Sequence, residues 1–158
     1  MPQLISQPID RPQKVTIATA QPVSIFDLVG LSSGTLVRAE DTPWDTDLGT
    51  TQAAFVSSFV GWSNCQKAAN VARVTGYPSD NICMVETGGV IEFDAISDTY
   101  AVGDLIGPAK ASGNALESQK VAKVPTEARA IGRCRTKGTT TTVQVELLSK
   151  LLPSARQS

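Results

Sequence analysis

Histidine is missing from this chain altogether. Its absence removes the Ser-His-Asp and Cys-His nucleophilic arrangements, and the commonest metal ligand with them. Cysteine is scarce: Cys65, Cys83 and Cys134 stand far apart with no Cys-x-x-Cys pair. An odd count at such spacings is not a disulfide framework. The three read as small buried hydrophobes, with a disulfide or a reactive thiol as the alternatives. That reading suits assembly in a reducing compartment. An excess of one charge is lacking too. Lys plus Arg number 14 and Asp plus Glu 15, a net charge of -1. With no basic stripe, nucleic acid and membrane surfaces are not expected partners. Aromatic residues make up only 5%, which argues against a carbohydrate-binding face. No apolar run approaches the roughly 18 residues that a membrane-spanning helix needs. The first residues show no basic region followed by an apolar one, so no secretory leader is expected.

What is present describes a globular β protein. The chain has 158 residues, 41% of them apolar. A chain of that size buries roughly 70% of its unfolded surface, enough to fold without a disulfide or metal. Short apolar runs alternate with Gly, Pro, Asn and Asp, as in strands joined by tight turns. The expectation is a mostly β, compact barrel-like or sandwich-like domain with an extended N-terminal arm and little helix. Its parts are an arm over residues 1–13, one β-rich domain over 14–152 and a C-terminal tail over 153–158.

The arm holds Pro2, Pro8 and Pro12 among polar residues. Proline denies it a helix interior and a central strand. It is either a frayed terminus or an arm laid on a partner, with Leu4, Ile5 and Ile9 as anchors. Lys14 to Ala20 reads as a strand, Val23 to Val29 as a second apolar run and Thr35 to Ala39 as a short strand. Glu40 to Asp47 is an acidic loop around Trp44, which is an interface anchor or a cap on the core. The loop lacks the EF-hand spacing and reads as solvated. Phe55 with Phe59, and Val56 with Val60, have helical spacing, yet Gly61 interrupts any helix. A short helical turn near Gln52 to Ser57 is expected, then a strand from Phe59 to Cys65. Val71 to Thr75 reads as a weak strand before the loop at Gly76 to Asn81. Ile82 to Glu86 is strand-like.

The stretch from Gly88 to Leu148 is the most regular. Ile91, Phe93 and Ala95 share one strand face, and Glu92 and Asp94 share the other. Paired carboxylates serve acid–base or metal chemistry, but no other catalytic group is recognisable beside this pair, and it reads as a polar strand face. Gly103 and Asp104 make a turn, and Gly107-Pro108 is expected to end the strand that follows. The glycines form no phosphate cradle, since no P-loop Lys-Ser/Thr follows them. Ala130 to Arg135 is a strand. Arg133, Arg135 and Lys137 make a small basic patch that reads as a solvated face. Val143, Val145 and Leu147 alternate with Thr142, Gln144 and Glu146. No catalytic, cofactor-binding or metal residue is expected, and no small-molecule substrate.

Four pieces of this stretch, Gly89-Val90-Ile91-Glu92-Phe93-Asp94, Tyr100-Ala101-Val102-Gly103-Asp104-Leu105-Ile106-Gly107-Pro108-Ala109, Ala130-Ile131-Gly132-Arg133 and the closing Thr/Val strand, carry a resemblance. In order and spacing they resemble the head decoration, or cement, proteins of tailed bacteriophages. The resemblance covers about the last third to two fifths of the chain and brings no catalytic motif. It implies a β-rich homotrimer, made in the host cytoplasm, that binds the major capsid protein on the outer surface of the virion head. Its place would be at three-fold or quasi-three-fold junctions between capsomers. Two other classes compete: another virion component, such as a tail or fibre part or a host-surface binding module, and a metal-dependent hydrolase using Glu92, Asp94, Asp45 and Asp47.

Overall fold

The computed structural model describes residues 2–6, 13–71 and 82–148. These residues form a mostly β structure, as the alternation pattern implied. The strands are β1 (Gln3–Ser6), β2 (Gln13–Thr16), β3 (Leu28–Ser32), β4 (Thr35–Arg38), β5 (Phe59–Ser63), β6 (Ile82–Glu86), β7 (Val90–Tyr100), β8 (Leu105–Lys110), β9 (Leu116–Lys123), β10 (Gly132–Cys134) and β11 (Gly138–Leu147). One α-helix, α1 (Leu48–Ser57), sits between β4 and β5. No helix among the described residues is long and apolar enough to cross a membrane.

The strands close two small barrels. The first runs in ring order β2-β4-β3-β5-β6. The second runs β7-β11-β10-β8-β9 and closes through a parallel contact of β9 with β7 at Asp94 and Ala95. β1 lies outside both rings, antiparallel on β7.

The two barrels are built on one plan. Numbered by chain order within each barrel, both rings run 1-3-2-4-5, with strands 1 and 3 parallel and the other neighbours antiparallel. Register repeats as well. Val29 faces Gly61 as Ile106 faces Gly132. Ser63 faces Val85 as Cys134 faces Val145. Thr16 faces Thr35 as Asp94 faces Lys120. Asp27-Leu28-Val29-Gly30 in the first barrel answers Asp104-Leu105-Ile106-Gly107 in the second. Each Asp closes the same turn. Asp27 donates its N–H to Ser24 O and accepts the Ser24 N–H, at 3.2 and 2.8 Å. Asp104 does so with Ala101, at 3.1 and 2.9 Å. The residue before each Asp has positive φ, Phe26 at 72° and Gly103 at 96°. Glycine is natural at the second position, and Phe26 holds a conformation that L side chains rarely adopt.

Cores repeat too. Val15, Val29, Leu36, Val60, Cys83 and Val85 are buried in the first barrel, and Phe93, Ile106, Val121, Ile131, Val143 and Val145 at the matching places in the second. A larger cluster runs from the second barrel into Leu28, Phe55, Phe59 and Trp62, so one apolar body joins the barrels. Trp62 Nε1 donates to Gly88 O at 2.9 Å across that junction.

Several local expectations are corrected. Cys65 and Cys83 form a disulfide, with Cα atoms 6.0 Å apart, so they are not lone buried hydrophobes. The argument for a reducing compartment goes with them, and Cys134 alone is free. Gly107-Pro108 does not end a strand: β8 continues to Lys110. Pro108 points away from β9. On its other side β10 pairs β8 only at Leu105 and Ile106, so the missing donor breaks no ladder bond. Its carbonyl accepts from Gln52 Nε2 at 2.7 Å instead. The helix starts earlier than the apolar spacing implied, because the Asp47 carboxylate accepts the Thr50 N–H at 2.8 Å and caps it at Leu48. Of the apolar run over residues 23–29, only Leu28 and Val29 enter a strand. The loop expected at residues 76–81 and most of the weak strand before it lie outside the described residues.

Candidate functional site

Among the described residues β7 is the longest strand, and it uses its two edges differently. One edge is given to β11 from Val90 to Tyr100. The other is shared: β9 takes it at Asp94 and Ala95, and β1 takes it nearer the start of the strand. There Gln3 lies opposite Glu92, Leu4 opposite Ile91 and Ser6 opposite Val90, with an irregularity between Leu4 and Ser6. Leu4 packs against the large apolar cluster, and Pro2 is buried. Gln3 Nε2 donates to Glu92 Oε1 at 2.8 Å. β1 is therefore a short strand seated by backbone pairing, one apolar anchor and one side-chain bond.

The four residues proposed from sequence as partner anchors fall in different places. Leu4 is on β1 and turned into the chain's own core. Ile5 is the exposed member of the pair, 42% accessible. Ile9 lies outside the described residues. Trp44 is half-buried in the loop before α1, with Lys110 Nζ 5.7 Å from its ring centroid. It thus belongs to the end of β8 and not to the arm.

Three of the four residues proposed for the hydrolase class are each held by a different partner. Glu92 is engaged by Gln3, and Asp47 caps α1. The cap holds the Asp47 carboxyl below the usual carboxylate range. Thr51 anchors Asp45 through both backbone groups, the N–H donating to its hydroxyl at 2.9 Å. Among the described residues no three of His, Cys, Asp and Glu lie together as a metal-binding group. The Cys134 thiol is buried, and burial pushes its pKa up, away from the thiolate. The basic patch is partly neutralised: Arg133 pairs with Glu127, and Arg135 lies 3.7 Å from Glu146.

Sequence reasoning missed the polar groups that fasten barrel to barrel. Asp27 is buried, and Gln119 Nε2 donates to its carboxylate at 2.9 Å. Burial raises the Asp27 pKa, with the Ser24 and Gln119 bonds opposing. The Glu40 N–H donates to Ser118 Oγ at 3.1 Å. Gln52 is buried between Pro108 and Arg129, whose Nε donates to Gln52 Oε1 at 2.7 Å. In the first barrel Lys67 is buried, and its ammonium donates to the carbonyls of Thr19, Gln21 and Ala68 at 2.6, 3.0 and 3.2 Å. Burial pulls its pKa below the usual lysine range. A single charged or amide residue inside a polar stretch gives no spacing signal, so none of these was visible beforehand.

A groove of about 430 Å³ lies between β3, β4 and α1, with Leu31, Val37, Pro43 and Phe55 among its walls. Its one charged residue, Asp41, is held by Arg38 and Gln21. Nothing there pairs an acid with a base. No protein-family model and no curated protein matches the chain.

Proposed function

We propose that the chain is a head decoration protein of a tailed bacteriophage, a homotrimer bound to the major capsid protein on the outer surface of the shell. One observation carries this. The four pieces of sequence that bear the resemblance are scattered over residues 89–148, yet they come together as β7, β8, β10 and β11, four of the five strands of one barrel. A likeness made only of turn chemistry would not be expected to collect into one folded unit. The seated arm adds support, since it brings a strand-docking edge to that same barrel.

The mechanism is thermodynamic. A trimer touches several capsid subunits through modest contacts, and linking the contacts multiplies their strength. A protein that binds the assembled lattice and not its separated subunits stabilises the lattice by mass action. Outward pressure from packaged DNA then has to break the bridge as well as the capsid contacts.

Labelling the protein on purified particles tests the placement. Label is expected over the whole head. Label confined to the tail overturns the proposal in favour of a tail or fibre part.

A further inference from the structure

We propose that in the trimer the β7 seat is filled in exchange: β1 of each copy lies on the Val90–Glu92 edge of a neighbouring copy. This rests on the trimer reading above and names the surface that holds the trimer together. The acceptor is the part of the β7 edge that β9 leaves to β1, and the partner is a second copy of this chain.

β1 is not needed to close a barrel. β9 already reaches β7 at Asp94 and Ala95 and completes the ring. The first barrel, built on the same plan, closes with five strands and, among the described residues, takes no sixth. β1 is thus an addition to a finished unit, held by three residue pairs, the Leu4 side chain and the Gln3–Glu92 bond. A terminal strand with so few contacts opens at a fraction of the global unfolding free energy. What the seat recognises is a backbone edge and a hole for one aliphatic side chain. Those features are the same whichever copy supplies the strand. Exchange therefore replaces each contact with an identical one, and association carries little added cost.

The tether sets the geometry. Six residues, 7–12, separate Ser6 from Gln13. Fully extended they bridge at most about 24 Å. The seat that receives β1 must then lie within about that distance of the donor's β2, which places the seat at the interface between neighbouring copies. A strand that passes from each copy to the next makes a head-to-tail contact, and three such contacts close a ring. The tether also carries Pro8 and Pro12, two positions without the N–H donor that an uninterrupted ladder would use.

Cysteine pairs test this directly. Gln3 and Glu92 are opposite each other, so the Q3C/E92C double variant should oxidise to a disulfide across the seat. Exchange gives covalent dimers and closed trimers on a non-reducing gel. Mixed and reassembled single variants Q3C and E92C should give a dimer containing one of each. If the double variant yields only internally linked single chains while the solution mass is that of a trimer, exchange is wrong and the trimer reading survives. A solution mass of one chain overturns the trimer reading itself. No cross-link at all means that Gln3 does not lie on Glu92, and the seat is overturned. As a second variant, Leu4→Asp should leave the circular dichroism spectrum unchanged and convert trimers to single chains. Trimers that persist in it contradict the proposal.

Discussion

Gly61 and Gly132 do the same job in two barrels. A Cβ on Gly61 would lie 1.9 Å from Glu86 O, and one on Gly132 would lie 2.1 Å from Glu146 O. Each lets two strands of its ring press together where a side chain would separate them. Ala at either site should therefore cost roughly 3 kcal/mol, an overpacking penalty at rigid backbone. Ala at Gly34, which has positive φ but open space, should cost only roughly 1 kcal/mol. Chemical denaturation of the three variants checks the ordering. The disulfide offers a second residue-scale test. Cys65 and Cys83 are separated by 18 residues, and cross-linking a loop of that length stabilises by about 3 kcal/mol. Cys65→Ala with Cys83→Val should lose about that much, and the native chain should show one titratable thiol when denatured without reductant. Asp27 supplies the pH dependence. Its folded pKa is raised by burial above that of an ordinary aspartate, so the folded state binds the proton more tightly. The resulting stabilisation is complete below the ordinary aspartate pKa and fades as pH rises through the raised folded value. Asp27→Asn should remove that fall. A pH series of unfolding midpoints would show whether the variant gains on the native protein across that window.

At the scale of elements, strands with one buried face could be read off the chain. Ile91, Phe93 and Ala95, and Val143, Val145 and Leu147, are all buried as their alternation required. The helix–strand ambiguity around Phe55 resolves into both: α1 ends at Ser57, and β5 begins at Phe59. Pairings were harder, because they depend on which runs become neighbours. Ser63 faces Val85, and two residues further along that register Cys65 comes opposite Cys83. No spacing rule within the sequence announces that. The duplication was present in plain letters, Asp27-Leu28-Val29-Gly30 and Asp104-Leu105-Ile106-Gly107, but four residues of turn-and-strand chemistry carry little signal by themselves. Equivalence becomes visible only when the hydrogen bonds around both Asp residues are compared. The arm illustrates a limit of composition. Its prolines exclude a central strand, and β1 takes the one sheet position they leave open, an edge. Deleting residues 1–6 should leave both rings closed. The far-UV spectrum should be retained, with a loss of about 2 kcal/mol for removing the Leu4 side chain from the apolar cluster. Loss of cooperative unfolding in the truncated chain would show that β1 is part of the fold and not an addition to it.

For the whole molecule, two barrels of one plan are joined through a shared apolar cluster. Asp27 with Gln119, Glu40 with Ser118, and Gln52 with Pro108 and Arg129 add polar bonds between them. A body of that kind suits bridging between subunits, and three of them would present six barrels around a three-fold axis. We propose that such a bridge raises the resistance of a filled shell. The most direct measurement is the temperature at which DNA is released from heads prepared without this protein, before and after the purified protein is added back. Addition should raise the release temperature and saturate once every site is filled. A release temperature unchanged by saturating protein would contradict the bridge.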